Sequence, residues 1–146
     1  MSEFDPARER PAVLFANEAF YRAFADRDFP AMSALWAQDA PALCIHPGWP
    51  AIAGRAQVLA SWERILGGRP PAVVCHLPEA HFAGETALVV GYETVGADWL
   101  VATNGFVREG GRWRLFFHQA GPTPPMTARL KAGDGDGGGA PPGRPN

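Results

Sequence analysis

The sequence is short of the features that mark the commoner functions. Its 13 Lys and Arg stand against 15 Asp and Glu, a formal net charge of −2. Basic residues are nowhere clustered, so the electrostatic footprint of a nucleic-acid-binding protein is missing and no nucleic acid is expected as a partner. No apolar run comes near the roughly 18 residues of a membrane-spanning helix, and no membrane is expected either. The stretch Met1–Arg10 is charged and has no apolar core of the secretory kind, which points to a cytoplasmic protein. Cysteine is scarce. Cys44 and Cys75 each lie in an apolar run of β character, where reduced, buried thiols are the simplest reading. Cys44 and His46 share a strand face, but no close-spaced second ligand pair follows; His76 and His81 are five apart, the wrong parity for one strand face, so no metal is expected. A phosphate-binding loop, a dinucleotide fingerprint and a Gly-x-Ser-x-Gly elbow are all missing. The chain is expected to work without a cofactor.

What is present is apolar substance for one core. Hydrophobic residues make up 47% of 146, the balance of a single globular domain. Residues 1–10 read as a flexible arm. At the other end, Gly133–Asn146 holds six glycines and three prolines, too little apolar surface to order itself, and residues 126–146 are expected to be a disordered Gly/Pro-rich tail. The folded unit is placed at residues 11–125.

Within it, Pro11 suits the first turn of a helix, and Val13, Ala16, Phe20, Ala23 and Phe24 follow at helical spacing. Asp28 can cap a second, short helix with Pro30 in its first turn. Ala42–His46 reads as a short strand. Gly54 opens a third helix, whose face is Val58, Leu59, Trp62, Ile65 and Leu66. After Pro70 the chain is β-like: 72–82, 87–95, 99–107 and 113–120, with glycines at the connections. Pro78 interrupts the first of these and predicts an edge or a bulge there. Helices first and a meander afterwards make an α+β fold, with three N-terminal helices packed into a mostly antiparallel sheet. Leu88-Val89-Val90 and Leu115-Phe116-Phe117 put apolar side chains on both faces of that sheet. The helices cover one face, and a second copy of the chain, a homodimer, is expected to cover the other.

The stretch Cys44-Ile45-His46-Pro47-Gly48-Trp49-Pro50 carries the clearest chemistry. An ionisable imidazole stands at the end of a strand, on a turn stiffened by proline and glycine, beside a large aromatic wall.

Several motifs resemble the SnoaL-like group of the nuclear transport factor 2-like (NTF2-like) superfamily. Phe24-Ala25-Asp26-Arg27-Asp28 is similar to the turn that opens that family's second helix, and Leu35-Trp36-Ala37-Gln38-Asp39-Ala40 to the segment before its first strand. Gly54-Arg55 with Val58 and Trp62 resembles the start of its third helix. Trp113-Arg114-Leu115 with His118-Gln119-Ala120 resembles its last strand. The resemblance covers about residues 11–122. It implies a curved sheet wrapped round helices into a cone with an internal pocket, and a dimer. Its members include ketosteroid isomerases, dehydratases, cyclases, epoxide hydrolases and non-catalytic binding domains, so it implies a pocket and no single reaction.

By that resemblance His46, before Pro47, stands where the isomerases keep their base. Phe20 and Asn104 stand where they keep the tyrosine and the protonated aspartate that bind an oxyanion. Phe20 cannot donate a hydrogen bond, Tyr21 is its neighbour, and Asn104 donates through its amide. His46 is thus the expected general acid/base, since histidine titrates near neutral pH, and Asn104 the orienting donor. The expected pocket residues are Phe20, Tyr21, Trp49, Trp99, Phe117, Gln119 and Arg55. Alternation along the last strand places Gln119 in the pocket and His118 on the opposite face. Arg55 is a candidate for an anionic ligand or for a salt bridge with Asp39 or Glu93. The function expected is binding of a small, largely apolar molecule in the cone, with cofactor-free isomerase, lyase or hydrolase chemistry at His46. The alternative is a non-catalytic dimerisation or ligand-binding module.

Overall fold

The computed structural model describes residues 3–135. Helix α1, Pro6–Ala25, begins five residues before Pro11. Asp5 is its N-cap, accepting from the Ala7 N–H at 3.1 Å, and Pro6 fills the first position. This Asp-Pro pair starts a helix as well as Pro11 would, so residues expected in a flexible arm are helical. Helix α2, Phe29–Leu35, is capped by Asp28 through the Ala31 N–H. Strand β1, Leu43–Ile45, then pairs antiparallel with a two-residue strand β2, Ile52–Ala53. Helix α3, Arg55–Gly67, follows Gly54, whose φ of +95° suits glycine at this turn.

The meander consists of β3 (Val74–Ala83), β4 (Thr86–Val95), β5 (Asp98–Glu109) and β6 (Arg112–Pro122). The sheet order is β2-β1-β6-β5-β4-β3, antiparallel throughout except where β1 runs parallel to β6. Pro78 sits at a register shift between His76 and Glu79 on the edge strand β3, where a missing N–H is tolerated. A last helix, α4 (Thr127–Gly135), occupies residues expected in the tail. The rest of that expectation, residues 136–146, lies outside the described residues. No described helix is long and apolar enough to cross a membrane.

The core lies between α1, α3 and one face of the sheet. Val13, Phe20 and Ala23 of α1 meet Val58, Trp62 and Leu66 of α3, and Val89, Phe106 and Leu115 of the strands. The second register shift matters more for the site. Gly105 pairs with Phe117 and Phe106 pairs with Leu115, so Phe116 is an extra residue in β6. Trp113 and Leu115 point into the core. Beyond the bulge the inward positions become His118 and Ala120, while Gln119 is exposed. The parity expected from unbroken alternation is reversed by that one residue.

Candidate functional site

A cavity of about 620 Å³ opens between α1, α3 and the inner face of the sheet. Its walls are largely aromatic and aliphatic: Phe20, Tyr21 and Phe24 from α1, Trp62 and Ile65 from α3, Trp49 beyond β1, and Leu100 from β5. The polar groups in its lining are His46, His118 and Glu93 inside, with Arg64, Arg69 and Asp98 among the more exposed residues.

His46 continues the alternation of β1, so Cys44 and His46 both face inward and are buried. The turn after it closes with the Trp49 N–H donating to the His46 carbonyl at 2.9 Å, Gly48 taking φ +80°, as the Pro-Gly pair requires. The imidazole lies between two indoles at edge-on angles, Trp49 at 4.8 Å and Trp62 at 4.7 Å between ring centres. Its Nε2 is 2.9 Å from the Ser61 hydroxyl. That hydroxyl spends its one hydrogen on the Val58 carbonyl, 2.7 Å away. It can only accept from the ring, so His46 carries its proton on Nε2 and Nδ1 keeps a lone pair. Among the described residues the one group within bonding range of Nδ1 is the Cys44 thiol, at 3.9 Å, and that sulfur lies nearer Nε2, at 3.6 Å. Burial lowers the pKa of His46 from 6.5 to about 4. The ring is neutral at pH 7 and is a base rather than an acid.

Asn104 is buried but does not line the cavity. Its amide N–H groups donate to Asn17 Oδ1 at 2.8 Å and to the Tyr21 hydroxyl at 3.3 Å. Its oxygen therefore accepts from His118 Nδ1, at 2.6 Å, and fixes His118 as the Nδ1–H tautomer with Nε2 open. Burial, with a smaller contribution from His46, lowers the pKa of His118 to about 3. Asn104 is thus a positioning residue for a histidine that alternation had placed on the other face. The two imidazole rings stand 6.4 Å apart.

Tyr21 lines the cavity together with Phe20, and its hydroxyl donates to Glu93 Oε2 at 2.6 Å. Glu93 is buried, and loss of hydration raises its pKa, partly offset by the Tyr21 bond. Sequence reasoning missed it as a pocket residue. The signal was there, since Ala87, Val89, Gly91 and Glu93 are the inward positions of β4, and a carboxylate in such a row is rarely idle.

Four expected pocket residues lie elsewhere. Trp99 stacks on His76, 5.5 Å between centres, outside the cavity lining. Phe117 and Gln119 are turned outward by the bulge. Arg55 donates to the carbonyls of Ala37 at 3.0 Å and Ser33 at 3.0 Å. It ties the end of α2 to the start of α3 and binds neither Asp39 nor Glu93. Among the described residues no group of three or more His, Cys, Asp or Glu is placed to hold a metal ion.

The model of the SnoaL-like domain matches residues 13–124. The chain belongs to this family. Among solved structures, this SnoaL-like domain is similar to a candidate dehydratase of the NTF2-like family from Streptomyces avermitilis, with 32% identity over 83% of this chain and 100% of that one, at a TM-score of 0.74. It is also similar to a candidate calcium/calmodulin-dependent protein kinase type II association domain from Thiobacillus denitrificans, with 31% identity over 75% of this chain and 93% of that one, at a TM-score of 0.64. An NTF2-like protein of unknown function from Pseudomonas putida shares the fold at 22% identity over 84% of this chain and 92% of that one, with a TM-score of 0.67. No curated protein matches the SnoaL-like domain.

Proposed function

We propose that this SnoaL-like domain binds a small, largely apolar molecule in the cavity and that His46 moves a proton on it without a cofactor. The observation that carries the reading is the His46 ring itself: buried in an aromatic wall, held neutral, and locked by Ser61 so that Nδ1 is the basic atom. Such a base can take a proton from carbon next to a carbonyl. The electron pair left behind then expels a β-hydroxyl, which leaves as water with the proton returned by the same imidazolium. Likeness to the candidate dehydratase, at 32% identity, favours this loss of water over isomerisation or hydrolysis.

The test is a thermal-shift screen of apolar β-hydroxy ketones, lactones and epoxides, followed by ultraviolet detection of the conjugated enone. We expect stabilisation by a β-hydroxy ketone and enone formation by the wild type, with turnover lost in His46→Gln. Absence of any hit, or turnover unchanged in that variant, overturns the reading.

A second reading concerns the other face of the sheet. Leu43, Phe117, Gly105 and Leu88 form one outward row across β1, β6, β5 and β4, and Leu43, Leu88 and Val101 are exposed. A second copy of the chain laid on this row would bury it. Sedimentation as a dimer at micromolar concentration, shifted to monomer by Leu88→Lys, is the expected result. A wild-type monomer overturns it.

A further inference from the structure

Proton transfer at His46 leaves the buried carboxyl of Glu93 without a task. Glu93 is only 4% exposed and belongs to the cavity wall. No Lys or Arg among the described residues forms an ion pair with it. Its Oε2 accepts from Tyr21. Its Oε1 has no hydrogen-bond partner among the described residues, yet it is absent from the sealed polar atoms of the core, in a residue that lines the cavity.

The hydrogen bonds behind Glu93 all run one way. His118 Nδ1–H donates to Asn104, Asn104 N–H to Tyr21, and Tyr21 O–H to Glu93. Because Tyr21 has one hydrogen and Asn104 already donates to its oxygen, that hydrogen is committed to Oε2. The chain therefore points its positive ends at the carboxyl and supports negative charge there. Oε1 is left as a fixed acceptor in an otherwise apolar space. A buried acceptor of this kind costs free energy when nothing donates to it.

We propose that Glu93 Oε1 is a second ligand-binding group, which reads a hydrogen-bond-donating group, a hydroxyl or a protonated amine, at the end of an apolar ligand remote from His46. The proposal rests on the cavity reading above. His46 directly follows β1, and β6 and β5 lie between β1 and the β4 strand of Glu93, about 14 Å along the sheet at the usual strand spacing. The ligand is thus an apolar body with two distinct ends, the reacting carbon at His46 and the donor at Glu93. A ligand lacking the donor leaves Oε1 dry and unpaired, and a site built to hydrogen-bond one group discriminates strongly against its absence.

Glu93 must be ionised to act this way; burial opposes that by raising its pKa, and the Tyr21 hydrogen bond works in favour of the charge. The titratable groups facing it are Tyr21 from α1 and Cys75 from β3; burial raises both, Cys75 to about 11, so neither is charged at neutral pH. On β5 its partner is Leu100. Across the cavity stand neutral His118 and, at the opening, Asp98 together with Arg64 and Arg69 of opposite charge.

Isothermal titration with 2-naphthol, protonated 2-(aminomethyl)naphthalene and 2-methoxynaphthalene at pH 7.5 tests this. We expect one of the two donors to bind about tenfold more tightly than the methoxy compound, the worth of one hydrogen bond to a charged group. Which donor wins separates hydroxyl from amine. In Glu93→Gln, Tyr21 holds the amide oxygen and turns the NH2 toward the cavity. The ratio should then fall to about one, because that NH2 can donate to the methoxy oxygen as well as to a hydroxyl oxygen. In the wild type, lowering the pH to protonate Glu93 should shrink the same ratio. Equal binding of all three by the wild type, or a ratio that survives in Glu93→Gln, overturns this inference and leaves the cavity reading standing. No binding of any probe overturns both.

Discussion

Ser61 accepts the Nε2–H of His46 across 2.9 Å while giving its own hydrogen to Val58, so the two residues have a single way to share their hydrogens. Long-range nitrogen–proton correlation spectra should accordingly show His46 as the Nε2–H tautomer and His118 as the Nδ1–H tautomer at pH 7. Ser61→Ala should remove the lock, cost about 1–2 kcal/mol in denaturant unfolding, and let a mixture of His46 tautomers appear. An unchanged single tautomer in the variant would contradict the assignment.

The same burial makes the fold acid-sensitive. His46 and His118 titrate near 6.5 when unfolded but near 4 and 3 when folded. Between those values the unfolded chain binds more protons, so their contribution is complete above about pH 6.5 and is lost as pH falls toward 4 and below. For His46 alone the shift corresponds to something on the order of 3 kcal/mol, a large share of an ordinary domain's stability. Urea midpoints measured from pH 7.5 to 4 should fall steeply, and the fall should be shallower in His46→Gln.

Glu109 organises the segment that leads into β1. Its carboxylate accepts from the backbone N–H groups of Gln38, Asp39 and Ala40 at 2.8, 2.9 and 2.8 Å. Slight loss of hydration raises its pKa, but these three bonds and the Arg114 guanidinium outweigh that and hold it below its usual value. Its contribution is present above about pH 4.5 and is lost in more acid solution. In this well-solvated position Glu109→Ala should cost about 1 kcal/mol by chemical denaturation, and Glu109→Gln less, because one oxygen remains.

Gly105 faces the bulge. A Cβ placed on it would stand 2.9 Å from the Phe116 ring and 3.1 Å from Phe117 Cβ. Gly105→Ala should therefore destabilise by about 1–3 kcal/mol. It should also displace Phe116, which aromatic proton shifts would report. A neutral substitution would show that the ring moves away freely.

These relationships separate what the residue pattern carries from what it does not. The third helix was legible because Val58, Trp62 and Leu66 recur at 3.6 spacing behind Gly54. The meander was legible because glycines mark every reversal. His46 was legible as a pocket residue because alternation from Cys44 extends to it unbroken. His118 was not. Leu115-Phe116-Phe117 is apolar at every position, so nothing in it says which residue is supernumerary. The one clue is across the strand, where a glycine sits in the middle of β5 with an aromatic ring over it. Arg55 was misassigned because its partners are backbone carbonyls of Ser33 and Ala37, and a backbone acceptor has no residue type to recognise. The first helix started early because Asp5-Pro6 and Pro11 compete as starting points and only packing chooses between them.

The extra residue at Phe116 also bears on how the strand tolerates a change of length. Without Phe116, Leu115, Phe117 and His118 would follow one another opposite Phe106, Gly105 and Asn104, the partners they already have. His118 would keep its place beside Asn104 on the cavity face, and Gln119 would stay outside. What would go is the ring that stands over Gly105 and the local kink of β6. A lineage carrying this strand can therefore gain or lose one residue by a single in-frame length change and keep the imidazole in its pocket.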